Sequence, residues 1–118
     1  MLNQYSNAER NKIDIMKKFA KMIIEGDGMT YEEVAAQENV TIEYVASMIE
    51  KLKDIDFRLH CHVLGMKYAK IYLNEGGERL NQIAAQDNMK HAWLMIDMLR
   101  LDGVNSKVAF EVQKKLWS

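Results

Sequence analysis

Apolar residues recur three and four positions apart along almost the whole chain, the pattern of helices buried on one side. Ile13, Met16, Ala20 and Ile23, with Phe19 and Met22 beside them, predict a first helix. It begins near Asn7, where Ser6-Asn7-Ala8-Glu9 has the form of a capping box, and stops at Gly26 or Gly28. Thr30-Tyr31-Glu32-Glu33 is a second capping box and opens a short helix carrying Val34, Ala35 and Glu38. Asn39 suits a left-handed turn, and Thr41 caps a third helix with Ile42, Val45, Met48, Ile49 and Leu52 inward. A fourth helix is expected after Asp56 as far as Gly76-Gly77, a fifth over about Glu78–Asp87 and a sixth over about Lys90–Leu101. Asn105 or Ser106 caps a seventh, with Val108, Val112 and Leu116 on one face. No segment alternates apolar and polar residues long enough to predict a strand.

One phrase occurs twice. "AAQEN" at Ala35–Asn39 returns as "AAQDN" at Ala84–Asn88, 49 positions later. The same shift lays "KFAKMIIEGDG" at Lys18–Gly28 over "KYAKIYLNEGG" at Lys67–Gly77, and Val45, Ile49 and Leu52 over Leu94, Met98 and Leu101. Glycine stops fall on glycine stops and turn asparagines on turn asparagines. The repeat therefore predicts an internal duplication of long helix, short helix, turn and helix. The expected architecture is all-α: two tandem helix-turn-helix-like units of three helices each, residues 1–55 and 56–104, and a C-terminal helix at 105–118, folding as one body.

Within the first copy, "MTYEEVAAQENVTIEYVASMIEKL" has the form of a helix-turn-helix. Ala35 and Ala36 are small enough for two short helices to cross closely. Asn39 makes the turn, Val40 plugs it against the core, and Thr41, Glu43, Tyr44 and Ser47 face outward on the second helix. The first 75 residues or so also resemble the sporulation stage III protein D family of small DNA-binding regulators. The resemblance runs from "NKIDIMKKFAKMIIE" through the turn to "KDIDFRLHCHVLGMKYAKIYLNEGG": a leading helix, the turn element, and a trailing helix after a "DID" connector. It implies a transcription regulator that lays its second short helix in the major groove of double-stranded DNA. Thr41, Glu43, Tyr44 and Ser47 would then face bases, and Lys17, Lys18, Lys21, Lys51 and Lys53 would face phosphates. The family puts basic and hydroxyl residues on that outward face, and here it reads Thr41, Glu43, Tyr44, Ala46, Ser47.

Charge qualifies this expectation. The 118 residues carry 16 basic and 17 acidic groups, a net charge of −1, which argues against bulk attraction to nucleic acid or to an anionic membrane but leaves room for a local basic patch. Residues 13–55 hold five Lys and nine Asp or Glu, so the best-formed motif is also the most acidic segment. A DNA reader ordinarily carries a basic stripe. The alternative is a helical protein–protein interaction module, a phage-type inhibitor or an RNA polymerase partner, that keeps the helix-turn-helix shape and drops its charge. In the second copy the outward face reads Lys90, Ala92, Trp93, Met95, Ile96. Trp93, Met95 and Ile96 are thus either a partner surface, a homodimer seam, or packing between the two copies.

Other chemistry is sparse. His60-Cys61-His62 suggests a metal, but helix neighbours point about 100° apart and cannot all ligate one ion. No nucleophile with a base, no phosphate loop and no cofactor motif is present, so neither an enzyme nor a metal or cofactor site is expected. The single cysteine, the absence of an apolar signal-like N-terminus, and apolar runs far below the about 20 residues of a membrane span point to the cytoplasm. The nine methionines read as adaptable core filler.

Overall fold

The computed structural model describes residues 7–118. Seven helices make up its regular structure: α1 (Asn7–Ile24), α2 (Tyr31–Glu38), α3 (Ile42–Ile55), α4 (Phe57–Glu75), α5 (Gly77–Gln86), α6 (Ala92–Leu101) and α7 (Ser106–Leu116). No strand occurs among the described residues, and the protein is all-α. Ser6, and with it the first capping box, lies outside the described residues.

Local chemistry sets most of the boundaries. The Glu33 N–H donates to Thr30 Oγ1 at 3.1 Å and the Thr30 N–H to Glu33 Oε1 at 2.9 Å, the reciprocal pair that opens α2. Thr41 Oγ1 accepts from the Tyr44 N–H at 3.0 Å and opens α3. Asp56 Oδ1 accepts from Leu59 at 3.1 Å and opens α4, and Asn105 Oδ1 accepts from Val108 at 3.1 Å and opens α7. Both "AAQ" phrases end in the same backbone. Asn39 and Asn88 take φ of 56° and 54°. Val40 N–H reaches the Ala35 carbonyl at 3.0 Å and Met89 N–H the Ala84 carbonyl at 2.7 Å, each with a second bond from the asparagine N–H. This is the Schellman closure, and asparagine is the residue other than glycine that most readily takes its left-handed position.

Packing centres on α4, which lies against α1, α3, α5, α6 and α7. Nine of its residues are buried, so it shows little amphipathic bias. α1 contributes Met16, Phe19, Ala20 and Ile23 to the core, and α3 contributes Val45, Met48, Ile49 and Leu52. Ile42, expected inward, is exposed because the first residue of α3 precedes its contact with the rest of the core. Leu116, expected inward with Val108 and Val112, is also exposed, in the final turn of α7.

The two copies diverge after their corners. α6 begins at Ala92, with no side-chain cap, because Lys90 stands where Thr41 stands in the first copy and offers no acceptor. α6 is also turned by about half a revolution relative to α3. It buries Ala92, Ile96 and Leu99, whose counterparts Glu43, Ser47 and Glu50 are exposed on α3. Conversely Leu52 is fully buried and its counterpart Leu101 is 63% exposed. Gly65 explains the choice: a Cβ there would lie 3.0 Å from the Met95 carbonyl carbon and closer still to its oxygen. The backbone of α6 settles into that gap on α4. α2 and α3 pack closely on each other, whereas α5 and α6 each pack chiefly on α4.

Candidate functional site

The outward side of α3 forms a crest. Half a turn from Val45, Ile49 and Leu52, the exposed residues Glu43, Ser47, Glu50 and Asp54 follow one another at spacings of four, three and four. Three of the four are carboxylates. Thr41 stands at the N-terminal end of the crest, exposed, with a hydroxyl lone pair engaged in the cap. Tyr44 leans toward α1, where its ring meets Phe19 edge-on with centroids 6.0 Å apart at 82°. Lys51 lies on the same flank as Tyr44, two turns further along.

The remaining lysines do not join this crest. Lys18 pairs with Glu38 at 2.7 Å, at the end of α2. Lys21 approaches Glu25 at 3.9 Å. Lys17 and Lys21 together line a groove with Asp56, Leu59 and His62, on the side of α1 that meets α4 rather than α3. Lys53 sits on the α4 flank of α3, close enough to His60 to disfavour its protonated form. The five lysines expected to face phosphates are thus spread over several flanks, and only Lys51 stands beside Glu43, Tyr44 and Ser47.

The negative field of the crest reaches inward. Burial, then the carboxylates of Glu50 and Asp87, push the Tyr31 hydroxyl up to about 12. Glu50 also stands 4.0 Å from Nε2 of His60, beyond hydrogen-bond reach. His60 is buried, its ring stacks on Phe57, and its Nδ1 has no partner. Burial lowers its affinity for a proton; Glu50 opposes that and Lys53 adds to it. The unfolded chain takes up this proton near pH 6.5, while the native ring stays neutral to lower pH. Stability should therefore fall as pH drops through 6.5 and level off once the native ring protonates. Urea unfolding of the protein and of His60→Phe between about pH 7 and about pH 5 checks this. An unchanged slope in the variant would clear the histidine of the effect.

The stretch of the second copy read as a partner surface, a homodimer seam or packing between the copies is largely internal. Ile96 is buried against α4, and Met95 is half-buried with its carbonyl over Gly65. Trp93 is partly exposed, but its ring meets Tyr72 at 5.0 Å and its Nε1 donates to Asn81 Oδ1 at 3.1 Å. The half-turn of α6 is the physical reason. His60 and His62 turn to different neighbours: His62 Nε2 lies 2.7 Å from Asp102 Oδ2, while Arg58 donates to the same carboxylate through Nε at 3.0 Å and through Nη2. Arg58, then His62, hold the Asp102 carboxyl below its ordinary value and latch the start of α4 to the end of α6. Among the described residues no group of three His, Cys, Asp or Glu side chains is gathered to hold a metal ion, and no helix is long and apolar enough to cross a membrane.

Sequence reasoning missed three features: Asp54 as the last member of the crest, the Arg58–Asp102–His62 latch, and the exposure of Phe110 on α7 and of Trp117 just after it. The first and third were available from helical spacing alone. The second joins residues forty or more positions apart and leaves no local trace. No family model, no curated protein and no solved structure matches this chain.

Proposed function

We propose that the protein is a helical protein-interaction module that offers the crest of α3 to a basic surface on a partner protein. The observation that carries this reading is the line of Glu43, Glu50 and Asp54 on the most exposed side of α3, with Lys51 on one flank and Lys53 on the other. A helix entering a DNA groove runs between two rows of phosphates, and binding gains from each phosphate a cation neutralises. This crest would bring three anions against those rows, with only Lys51 and Lys53 at its flanks as cations. The same carboxylates on a basic protein surface steer association and fix its register.

A second reading, a DNA-binding regulator, draws on the short corner at Asn39–Thr41 and on the exposure of Thr41, Tyr44 and Ser47 at the start of α3. One pair of measurements separates the two. Fluorescence anisotropy with labelled duplex DNA of mixed sequence at low salt should show affinity weaker than about 10⁻⁴ M for the protein. The variant Glu43→Lys/Glu50→Lys/Asp54→Lys should gain DNA affinity with a steeper salt dependence. A partner that co-purifies with the protein should be lost from Glu43→Gln/Glu50→Gln/Asp54→Gln. Tight, salt-dependent DNA binding by the unaltered protein would reverse the order of the two readings.

A further inference from the structure

The crest of α3 ends against a ring. At its C-terminal end the chain turns through Asp56 into α4, and Phe57, the first residue of that helix, is 59% exposed. One side of the Phe57 ring meets the ring of His60, with centroids 6.5 Å apart and planes 28° from parallel. Nε2 of His60 in turn faces Oε2 of Glu50 across 4.0 Å. Phe57, His60 and Glu50 are therefore one contiguous site. Asp54 stands one turn beyond Glu50 on the same side of α3.

The chain leaves the groups of this corner unsatisfied. Neither Glu50 nor Asp54 is paired with a lysine or arginine of the described residues. His60 is only 6% exposed, yet neither of its ring nitrogens has a hydrogen-bond partner. A buried polar group in that state costs stability. Its Nε2 points at the Glu50 carboxylate and stops short of it, and a donor from outside can bridge the two.

Charge and shape select the donor. Glu50, Asp54 and Asp56 outnumber Lys51 and Lys53 on the flanks, while Arg58 is held by Asp102 at the end of α6. The corner therefore favours a cation. A lysine ammonium answers the charge alone. A guanidinium also offers a flat face to an aromatic ring and a fork of donors that can serve two acceptors at once.

We propose that the basic partner of the α3 crest is anchored at this corner by an arginine, its guanidinium stacked on Phe57 and donating to Glu50 and to Nε2 of His60. This rests on the reading of α3 as the contact for a basic protein surface, and it adds a fixed point supplied by α4. Glu43, about two turns before Glu50, steers the partner without touching the anchor.

Fluorescence anisotropy at low salt with labelled hexa-arginine and hexa-lysine, peptides of equal charge, tests this. Hexa-arginine should bind about fivefold more tightly than hexa-lysine. Phe57→Ala should remove that advantage and leave hexa-lysine within about twofold of its value, whereas Phe57→Tyr should keep the advantage. Glu43→Gln should weaken both peptides alike. Phe57 is exposed, so unchanged far-ultraviolet circular dichroism would show the fold of its variants intact. Equal binding of the two peptides, or an arginine preference that survives Phe57→Ala, overturns the anchor and leaves the crest reading standing. Failure of both peptides to bind overturns the crest reading and the anchor with it.

Discussion

Asn105→Asp is expected to cost about 3 kcal/mol of folding stability, although the two side chains have nearly the same shape and both cap helices well. Asn105 is buried where α7 meets the end of α1. Its Nδ2 donates to the Ile24 carbonyl at 2.6 Å and to the Gly26 carbonyl at 3.0 Å, while Oδ1 accepts from Val108 N–H at 3.1 Å. Aspartate keeps the acceptor and loses the donor. An anionic oxygen then faces two carbonyl oxygens with little water to screen it, and both carbonyls lose their partner. Asn105→Ala forfeits both cap and clamp but introduces no charge, and should cost about 2 kcal/mol. Urea unfolding near neutral pH gives the order directly. If the aspartate variant is the more stable of the two, the cap matters and the clamp does not. Acid should also narrow the difference, because a protonated carboxyl can donate again.

Gly65→Ala should be destabilising by about 2 kcal/mol, against the sign that helix propensity alone would give. In the middle of an exposed helix the same change gains about 1 kcal/mol. At Gly65 the new methyl would strike the backbone of Met95, with Leu99 Cγ only 3.3 Å away. A backbone carbonyl held in its own helix cannot rotate aside, so α6 must lift off α4 along the largest helix contact in the protein. Gly65→Val should cost more than Ala, because it adds both volume and a β-branch. Thermal unfolding checks the pair; a neutral or stabilising Gly65→Ala would mean that α6 shifts freely on α4.

How much of this could be read from the sequence depended on the range of the chemistry involved. The caps at Thr30, Thr41 and Asn105 and the corners at Asn39 and Asn88 are contacts within a few residues, and each is legible where it stands. The inward face of α3 was legible because Val45, Met48, Ile49 and Leu52 alternate with charged residues. α6 offered no such contrast: Ala92-Trp93-Leu94-Met95-Ile96 is apolar on every side, so the sequence alone could not say which side turns in. The decision is made on α4, by the absence of a side chain at Gly65. The crest shows the same limit in electrostatic form. Its acids and the lysines of α1 could be counted, but only the crossing of α1 with α3 and α4 determines that Lys17 and Lys21 line the α4 side. The clamp of Asn105 on Ile24 was out of reach for the same reason, since only the cap half of its role is local.

The central position of α4 has a consequence for how the chain can be cut or rearranged. Removed from α4, α1–α3 would leave the sides of α1 and α3 that meet it open to water, and α5–α7 would have no surface to lie on. New sequence can be accommodated at the ends of such a molecule, but a break within 57–75 forfeits the whole and not a part. Recombination could exchange what α3 or the outer side of α7 displays; it could not pass on either half as a working piece.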